Sequence, residues 1–119
     1  MSTLQSFNAR TGQAYGAAVP ATTSDELNTA IEKASVAFDD WQASDGSQRA
    51  SLLNALAAAL EQDREKLVEL ADAETGLGLP RLNGELDRTA FQLRRFATIA
   101  QNGGVFAFTD DPAVAGAPP

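Results

Sequence analysis

The stretch ADAETGLGLPRLNGELDRTAFQLRRFA, residues 71–97, decides what kind of fold this chain can form. Two apolar runs at helical spacing meet at a joint carrying Gly76, Gly78, Pro80 and the Asn83-Gly84 pair. Glycine tolerates the left-handed backbone that stops a helix, so Gly76 is expected just past the end of the first run. Pro80 and Asn83-Gly84 are then expected to introduce the next helix. Its stripe reads Leu82, Leu86, Ala90, Leu93, Phe96, Ala97 and Ala100, and Gly103-Gly104 should end it. The joint predicts a helix, a tight connector and a second helix.

Upstream of the joint the pattern stays helical. Ser47 is expected to cap a helix whose buried face is Leu52, Leu53, Leu56, Ala57 and Leu60. The polar run Glu61-Gln62-Asp63-Arg64 should bend or restart it, with Asp63 as a candidate cap, and Leu67, Leu70 and Ala71 carry the apolar face into the joint. Earlier still, Thr23-Ser24-Asp25-Glu26 fits a capping box, in which the threonine hydroxyl and the glutamate each satisfy a free backbone N–H. Leu27, Ala30, Ile31, Ala34, Ala37, Phe38 and Trp41 follow on one stripe. The phase of Trp41 with that stripe predicts a core side chain, and the turn chemistry of Ser44-Asp45-Gly46-Ser47 should stop the helix near Ala43.

The two ends differ from this middle. Residues 1–23 lack helical periodicity and carry Thr11-Gly12, Gly16 and Pro20, which suits an extended segment or hairpin lying on something else. Val105-Phe106-Ala107-Phe108 reads as a short strand, and the remaining residues have the composition of a linker. The expected fold class is mainly α: three to four amphipathic helices with short extended segments at both ends. The division is an extended segment over 1–23, a helical region over 24–104, and a strand with linker over 105–119. The linker-like ending reads as the front of something longer.

Composition removes several functions. The chain has 119 residues, a net charge of −7, and no cysteine or histidine. Thiolate nucleophiles, imidazole bases and the usual zinc sites are absent from it. The acidic balance argues against nucleic acid, which demands a clustered basic face; the one adjacent basic pair, Arg94-Arg95, sits in a helical apolar pattern. Neither a signal-like apolar run nor a stretch of 18 apolar residues occurs, so no membrane role is expected and a cytoplasmic location is the default. The acidic pairs Asp39-Asp40 and Asp110-Asp111 lack the alternating oxygen ligands and turn glycine of a calcium loop. No metal site is expected.

An ordered set of motifs nevertheless stands out. Ala37-Phe38-Asp39-Asp40-Trp41 is followed by Ser47-Gln48-Arg49-Ala50-Ser51-Leu52-Leu53, then Glu74-Thr75-Gly76, Gly84-Glu85, and Leu93-Arg94-Arg95-Phe96-Ala97. In order and spacing, over about residues 23–100, this set resembles the N-terminal region of the aldehyde dehydrogenase superfamily. The segment before Thr23 matches less well, with Asn8-Ala9 where the family usually has Asn-Pro. The Leu77–Leu82 connector and the tail from Phe106 to Asp111 are most similar to bacterial α-ketoglutarate-semialdehyde dehydrogenases.

The resemblance implies a much longer α/β parent, an oxidoreductase with a coenzyme domain for NAD or NADP, a catalytic domain with a nucleophilic cysteine, and an oligomerisation element. This chain has no cysteine and no glycine-rich phosphate loop following a strand. It is therefore expected to be an inert N-terminal fragment that binds no cofactor alone, with no catalytic residue of its own. Its partners would be the rest of the parent, a homo-oligomer, or neighbouring copies covering its apolar faces. By the same resemblance the helix after Gly84 borders the outer substrate tunnel, which makes Glu85, Arg88 and Gln92 tunnel candidates. An arginine there suits a substrate with a distal carboxylate. The plainer reading pairs Arg88 with Glu85 or Asp87 at a solvated surface. Trp41, Arg49, Glu74, Thr75, Gly76 and Gly84 are read as structural. The alternative to an enzyme piece is a self-contained, small, acidic helical module for interaction or oligomerisation.

Overall fold

The structure is a computed structural model and describes residues 2–104; the strand expected at Val105–Phe108 and the linker after it lie outside the described residues. The element order is β1 (Thr3–Phe7), β2 (Ala14–Pro20), α1 (Ser24–Gln42), α2 (Gly46–Gln62), α3 (Arg64–Thr75) and α4 (Leu79–Gln101). The described residues are mainly helical, with one small sheet among them.

β1 and β2 pair antiparallel, Thr3 opposite Pro20 and Phe7 opposite Ala14, with a register shift between Leu4 and Ser6. The Gln5 side-chain amide donates to the carbonyls of Tyr15 and Gly16 across that irregularity. Asn8 shapes the turn, its Oδ1 accepting from the backbone N–H groups of Arg10 and Thr11. A lone two-stranded ribbon is marginal in water. This one is anchored, because the Ala9 N–H donates to the Ala73 carbonyl of α3 at 2.8 Å.

α1 starts with the expected box: Thr23 Oγ1 accepts from the Glu26 N–H, and the Glu26 carboxylate accepts from the Thr23 N–H at 2.8 Å. Its stripe has a different fate from the one its periodicity predicts. No residue of α1 is buried, and Trp41, expected in the core, is 44% exposed. The stripe is correctly phased, but no described element covers it.

α2 begins two residues earlier than expected. Asp45, not Ser47, is the cap, because only Asp45 has a glutamine three residues on to complete the reciprocal pair. The break to α3 falls at Asp63, whose side chain makes no capping bond. Backbone bonds carry the chain through it, from the Asp63 N–H to the Ala59 carbonyl and from the Leu67 N–H to the Asp63 carbonyl. Gly76 ends α3 in the left-handed region, with φ of 69°. α4 then starts at Leu79, a turn before the expected opening, and Gly84 lies inside it. Pro80 sits in the first turn, where the missing N–H breaks no intrahelical bond, and the Asn83 side-chain amide donates to the Leu79 carbonyl.

The core lies where α2 runs antiparallel to α4, with α3 alongside. Its buried side chains are Ala50, Ala57, Val68, Leu82, Ala90 and Ala97. Four alanines let the two backbones approach closely. At one end a Cβ on Gly46 would overlap the Ala100 carbonyl oxygen, so only glycine fits there. Leu52, Leu56, Leu67, Leu70 and Phe96, all expected on buried faces, are exposed; small or branched neighbours, Ala50 and Val68 among them, take the closest positions instead. The radius of gyration is 21.9 Å, against about 13 Å for a compact chain of this size. The fold is open.

Candidate functional site

The joint of residues 71–97 is organised by a residue that motif reading passes over. Asp72, near the end of α3, receives Arg10 in a bidentate pair, Nη1 to Oδ2 and Nη2 to Oδ1, both at 2.9 Å. The same carboxylate accepts the Gly78 N–H at 2.8 Å. Three segments thus converge on one side chain: the hairpin turn, the end of α3 and the start of α4. The Arg10 hydrogen bond, followed by that of Gly78, holds the Asp72 carboxyl below its ordinary value. The only signal in the sequence is an acid at the end of one helix and a distant arginine, which spacing alone cannot connect.

Glu74-Thr75-Gly76 sits beside this knot. The Thr75 hydroxyl donates to the Ala71 carbonyl at 2.6 Å and accepts from the Leu77 N–H, while Glu74 is exposed. Arg49 holds the other joint, its Nε donating to Ser44 Oγ at 2.9 Å and its Nη2 reaching the Gln42 carbonyl. It links the end of α1 to the start of α2.

Glu85, Arg88 and Gln92 are separated by three and four residues on α4, so they share one helix face. All three are exposed. The pairing expected for Arg88 is not formed: Glu85 pairs with Arg81 at 2.9 Å, and Asp87 pairs with Arg64. Arg64 reaches Asp87 because its side chain crosses from α3, where it also bonds Asn83 Oδ1 at 3.1 Å. Arg88 makes no ion pair among the described residues. Gly84, expected to open this helix, is one of its interior residues.

A cleft of about 590 Å3 opens elsewhere, where the end of α1, the start of α2 and the end of α4 meet. Trp41, Leu52, Leu53, Phe96 and Ile99 give it apolar walls. Ser44 and Arg49 on its rim already bond each other, and the Asp45 carboxylate is spent on its cap. The cleft offers apolar surface without an unengaged acid or base. Elsewhere the shifted carboxyls point the same way. Glu26 is lowered by the Thr23 backbone and hydroxyl, and Glu61 by Arg94, which it meets in a bidentate pair. A carboxylic acid serving as a proton donor near neutrality would need its pKa raised.

A dinucleotide would require a parallel strand, a glycine-rich turn and a helix whose N-terminus faces the pyrophosphate. The described strands are an antiparallel hairpin, and the glycine-bearing turn Gly76–Gly78 follows a helix, with its Gly78 N–H already donated to Asp72. The described residues do not fit the coenzyme. No described helix is long and apolar enough to cross a membrane.

Comparison with known proteins accounts for this incomplete site. The chain is 38% identical over 112 residues to an alpha-ketoglutaric semialdehyde dehydrogenase of Acinetobacter baylyi, covering 94% of the chain and 21% of that relative. It is 37% identical over 116 residues to alpha-ketoglutaric semialdehyde dehydrogenase 2 of Azospirillum brasilense, with 93% and 21% covered. A 2-aminomuconic semialdehyde dehydrogenase of Danio rerio is 32% identical over 96 residues, with 80% and 20% covered. The chain therefore spans about a fifth of the length of these curated relatives. The sequence profile of the aldehyde dehydrogenase family matches residues 2–109, nearly the whole chain, and the chain belongs to that family.

Proposed function

We propose that this chain is the N-terminal helical part of an enzyme that oxidises an aldehyde to a carboxylate, with NAD or NADP as the hydride acceptor. The observation that carries the reading is the family match over residues 2–109, in a chain spanning only about a fifth of its relatives. In this reading the nucleophilic cysteine, its thioester and the coenzyme site belong to other segments of the parent, a cytoplasmic homo-oligomer. Apart from one face of α4, the part described here is scaffold. Its exposed apolar faces, on α1 and around the Trp41–Phe96 cleft, are surfaces that the rest of the parent would cover.

The substrate is a semialdehyde that retains one carboxylate, with α-ketoglutarate semialdehyde as the first choice from the two bacterial relatives. Glu85, Arg88 and Gln92 form the chain's contribution to the outer substrate tunnel. What supports this role is their common exposed face on α4 and the guanidinium of Arg88, which is not engaged by a described acid. Arg88 binds the distal carboxylate through a bidentate fork, while Glu85, tied to Arg81, shapes the tunnel mouth.

The test uses the complete reading frame. Its product should oxidise α-ketoglutarate semialdehyde with NAD or NADP, whereas residues 1–119 alone should show no turnover. A downstream frame without a cysteine and a coenzyme loop would end the reading. Arg88→Ala in the full enzyme should raise KM about ten- to hundredfold with kcat largely kept, the size expected for a lost charged hydrogen-bonding contact. An unchanged KM would remove Arg88 from the tunnel.

A further inference from the structure

The chain carries 16 acids against 9 bases, so an exposed cation on it should readily find a carboxylate. Five of its seven arginines are engaged: Arg10, Arg64, Arg81 and Arg94 each pair with an acid, and Arg49 donates to Ser44 and to the Gln42 carbonyl. The other two, Arg88 and Arg95, make no ion pair among the described residues, and both lie on α4. They belong to one line. Arg81, Arg88 and Arg95 follow at seven-residue intervals, so each is turned only about 20° from the next, and all three are exposed. A helix pairs its charges four residues apart, as Arg81 and Glu85 do. The corresponding positions are Gly84 and Gln92 for Arg88, and Phe91 and Ile99 for Arg95. None is an acid. Phe91 and Gln92 stand on either side of the line between the two free guanidiniums, and Phe91 is 67% exposed.

We infer that Arg95 is an approach site for an anionic substrate, a second guanidinium that draws the carboxylate of the semialdehyde to this face of α4 before Arg88 receives it. The inference rests on the reading of Arg88 as a tunnel residue. It answers an electrostatic difficulty in that reading. A chain of net charge −7 repels an anion, so a carboxylate reaches a single arginine against the field of its surroundings. Two uncompensated positive charges about 10.5 Å apart along one helix face make a local region of opposite sign, and such a region raises the rate of encounter with a charged ligand. The exposed phenyl of Phe91, one turn before Arg95, lowers the local dielectric and lengthens the reach of that charge. Arg81 lies on the same line but is spent on Glu85, so the guiding charge lies on the Arg95 side of Arg88.

The test is made in the complete enzyme. kcat/KM is measured for α-ketoglutarate semialdehyde and for pentanal, a neutral aldehyde of the same chain length, at about 20 mM and about 500 mM salt. Arg95→Gln should lower the semialdehyde-to-pentanal ratio about three- to tenfold at low salt, and less than about twofold at high salt, where screening confines each charge to a few ångströms. Arg95→Lys keeps the charge and should retain most of the ratio. Lys66→Gln, which removes one exposed positive charge from α3, should keep the native ratio at both salt concentrations. An unchanged ratio in Arg95→Gln, an equal loss in Arg95→Lys, or the same loss in Lys66→Gln would each overturn the proposal. Arg88→Ala separates it from the reading beneath it. If Arg88→Ala raises KM while Arg95→Gln keeps the native ratio, the approach site alone falls. If both variants keep native values, this face of α4 is outside the substrate path and both readings fall.

Discussion

α1 and α4 carry the same kind of apolar stripe and meet opposite fates. In α4, Leu82, Ala90 and Ala97 are buried against the neighbouring helices. In α1 nothing is buried, although Leu27, Ile31, Phe38 and Trp41 form an equally regular face. The difference lies in what each helix has opposite it. α4 presents alanines to the alanines of α2, so the backbones approach closely and Gly46 can seat against Ala100. α1 presents bulky knobs and has no described helix across from them. Periodicity identifies a face that requires cover; it does not say whether the cover lies in the same stretch of chain.

The contrast is tested most strongly by placing one charge on each stripe. Ala90→Asp buries a carboxylate with no cation opposite, which costs about 3–5 kcal/mol, close to the whole stability of a small domain. Ala34→Asp on α1 should cost no more than about 0.7 kcal/mol, the helix-propensity difference. Urea denaturation of the two variants compares these losses. Equal losses would mean that α1 is packed in solution after all.

A smaller effect separates two helical glycines. Gly46→Ala drives a methyl into the Ala100 carbonyl and should cost about 1–3 kcal/mol, the scale of core overpacking. Gly84→Ala meets nothing within 4 Å in the interior of α4 and should stabilise the chain by about 0.5–1 kcal/mol. A loss at Gly84 in the full-length enzyme, with a gain in the 119-residue chain, would locate a contact to the backbone of another segment.

Much of the local structure was legible because it is written in short-range chemistry. The Thr23–Glu26 box, the Gly76 stop and the end of α1 near Ala43 each depend on residues within one turn. The start of α2 was misread by two residues because Ser47 and Asp45 are both good caps, and only the reciprocal partner at Gln48 separates them. Gly84 misled for a related reason: a glycine favours helix ends, yet Pro80 had already supplied the start. Burial was less legible. Leu52, Leu56 and Phe96 are on plausible faces, but which side of an α-helix is covered depends on where a second helix lies, and among the described residues no helix is packed over the stripe that carries Trp41. Arg64 meeting Asp87, which took away the expected partner of Arg88, and Arg10 meeting Asp72 are contacts across 23 and 62 residues, beyond the reach of spacing.

The Arg10–Asp72 contact gives the finest test, because it bears on how α1 is held. Among the described residues, α1 is fastened at its C-terminal end by Arg49, and its N-terminal end is tied only through the hairpin, whose turn docks on α3. Asp72 titrates below its ordinary value of 3.8, so its carboxyl binds a proton less readily when the hairpin is docked than in the unfolded chain. Its contribution is therefore complete above the unfolded value and is lost as pH falls through the lower folded one. The Ala9 amide, bonded to Ala73, should keep its docked NMR chemical shift at pH 5 and move only below pH 3.8, while the amides of the α2–α4 seam hold still. Asp72→Asn keeps an acceptor for the Gly78 N–H but removes the charge that Arg10 clasps. It should shift the Ala9 resonance toward the undocked position already at neutral pH and abolish its acid transition, leaving α4 unchanged. If the Ala9 resonance and its pH course were the same in Asp72→Asn, the backbone bond to Ala73 would suffice to dock the hairpin, and α1 would be held at its near end without the ion pair.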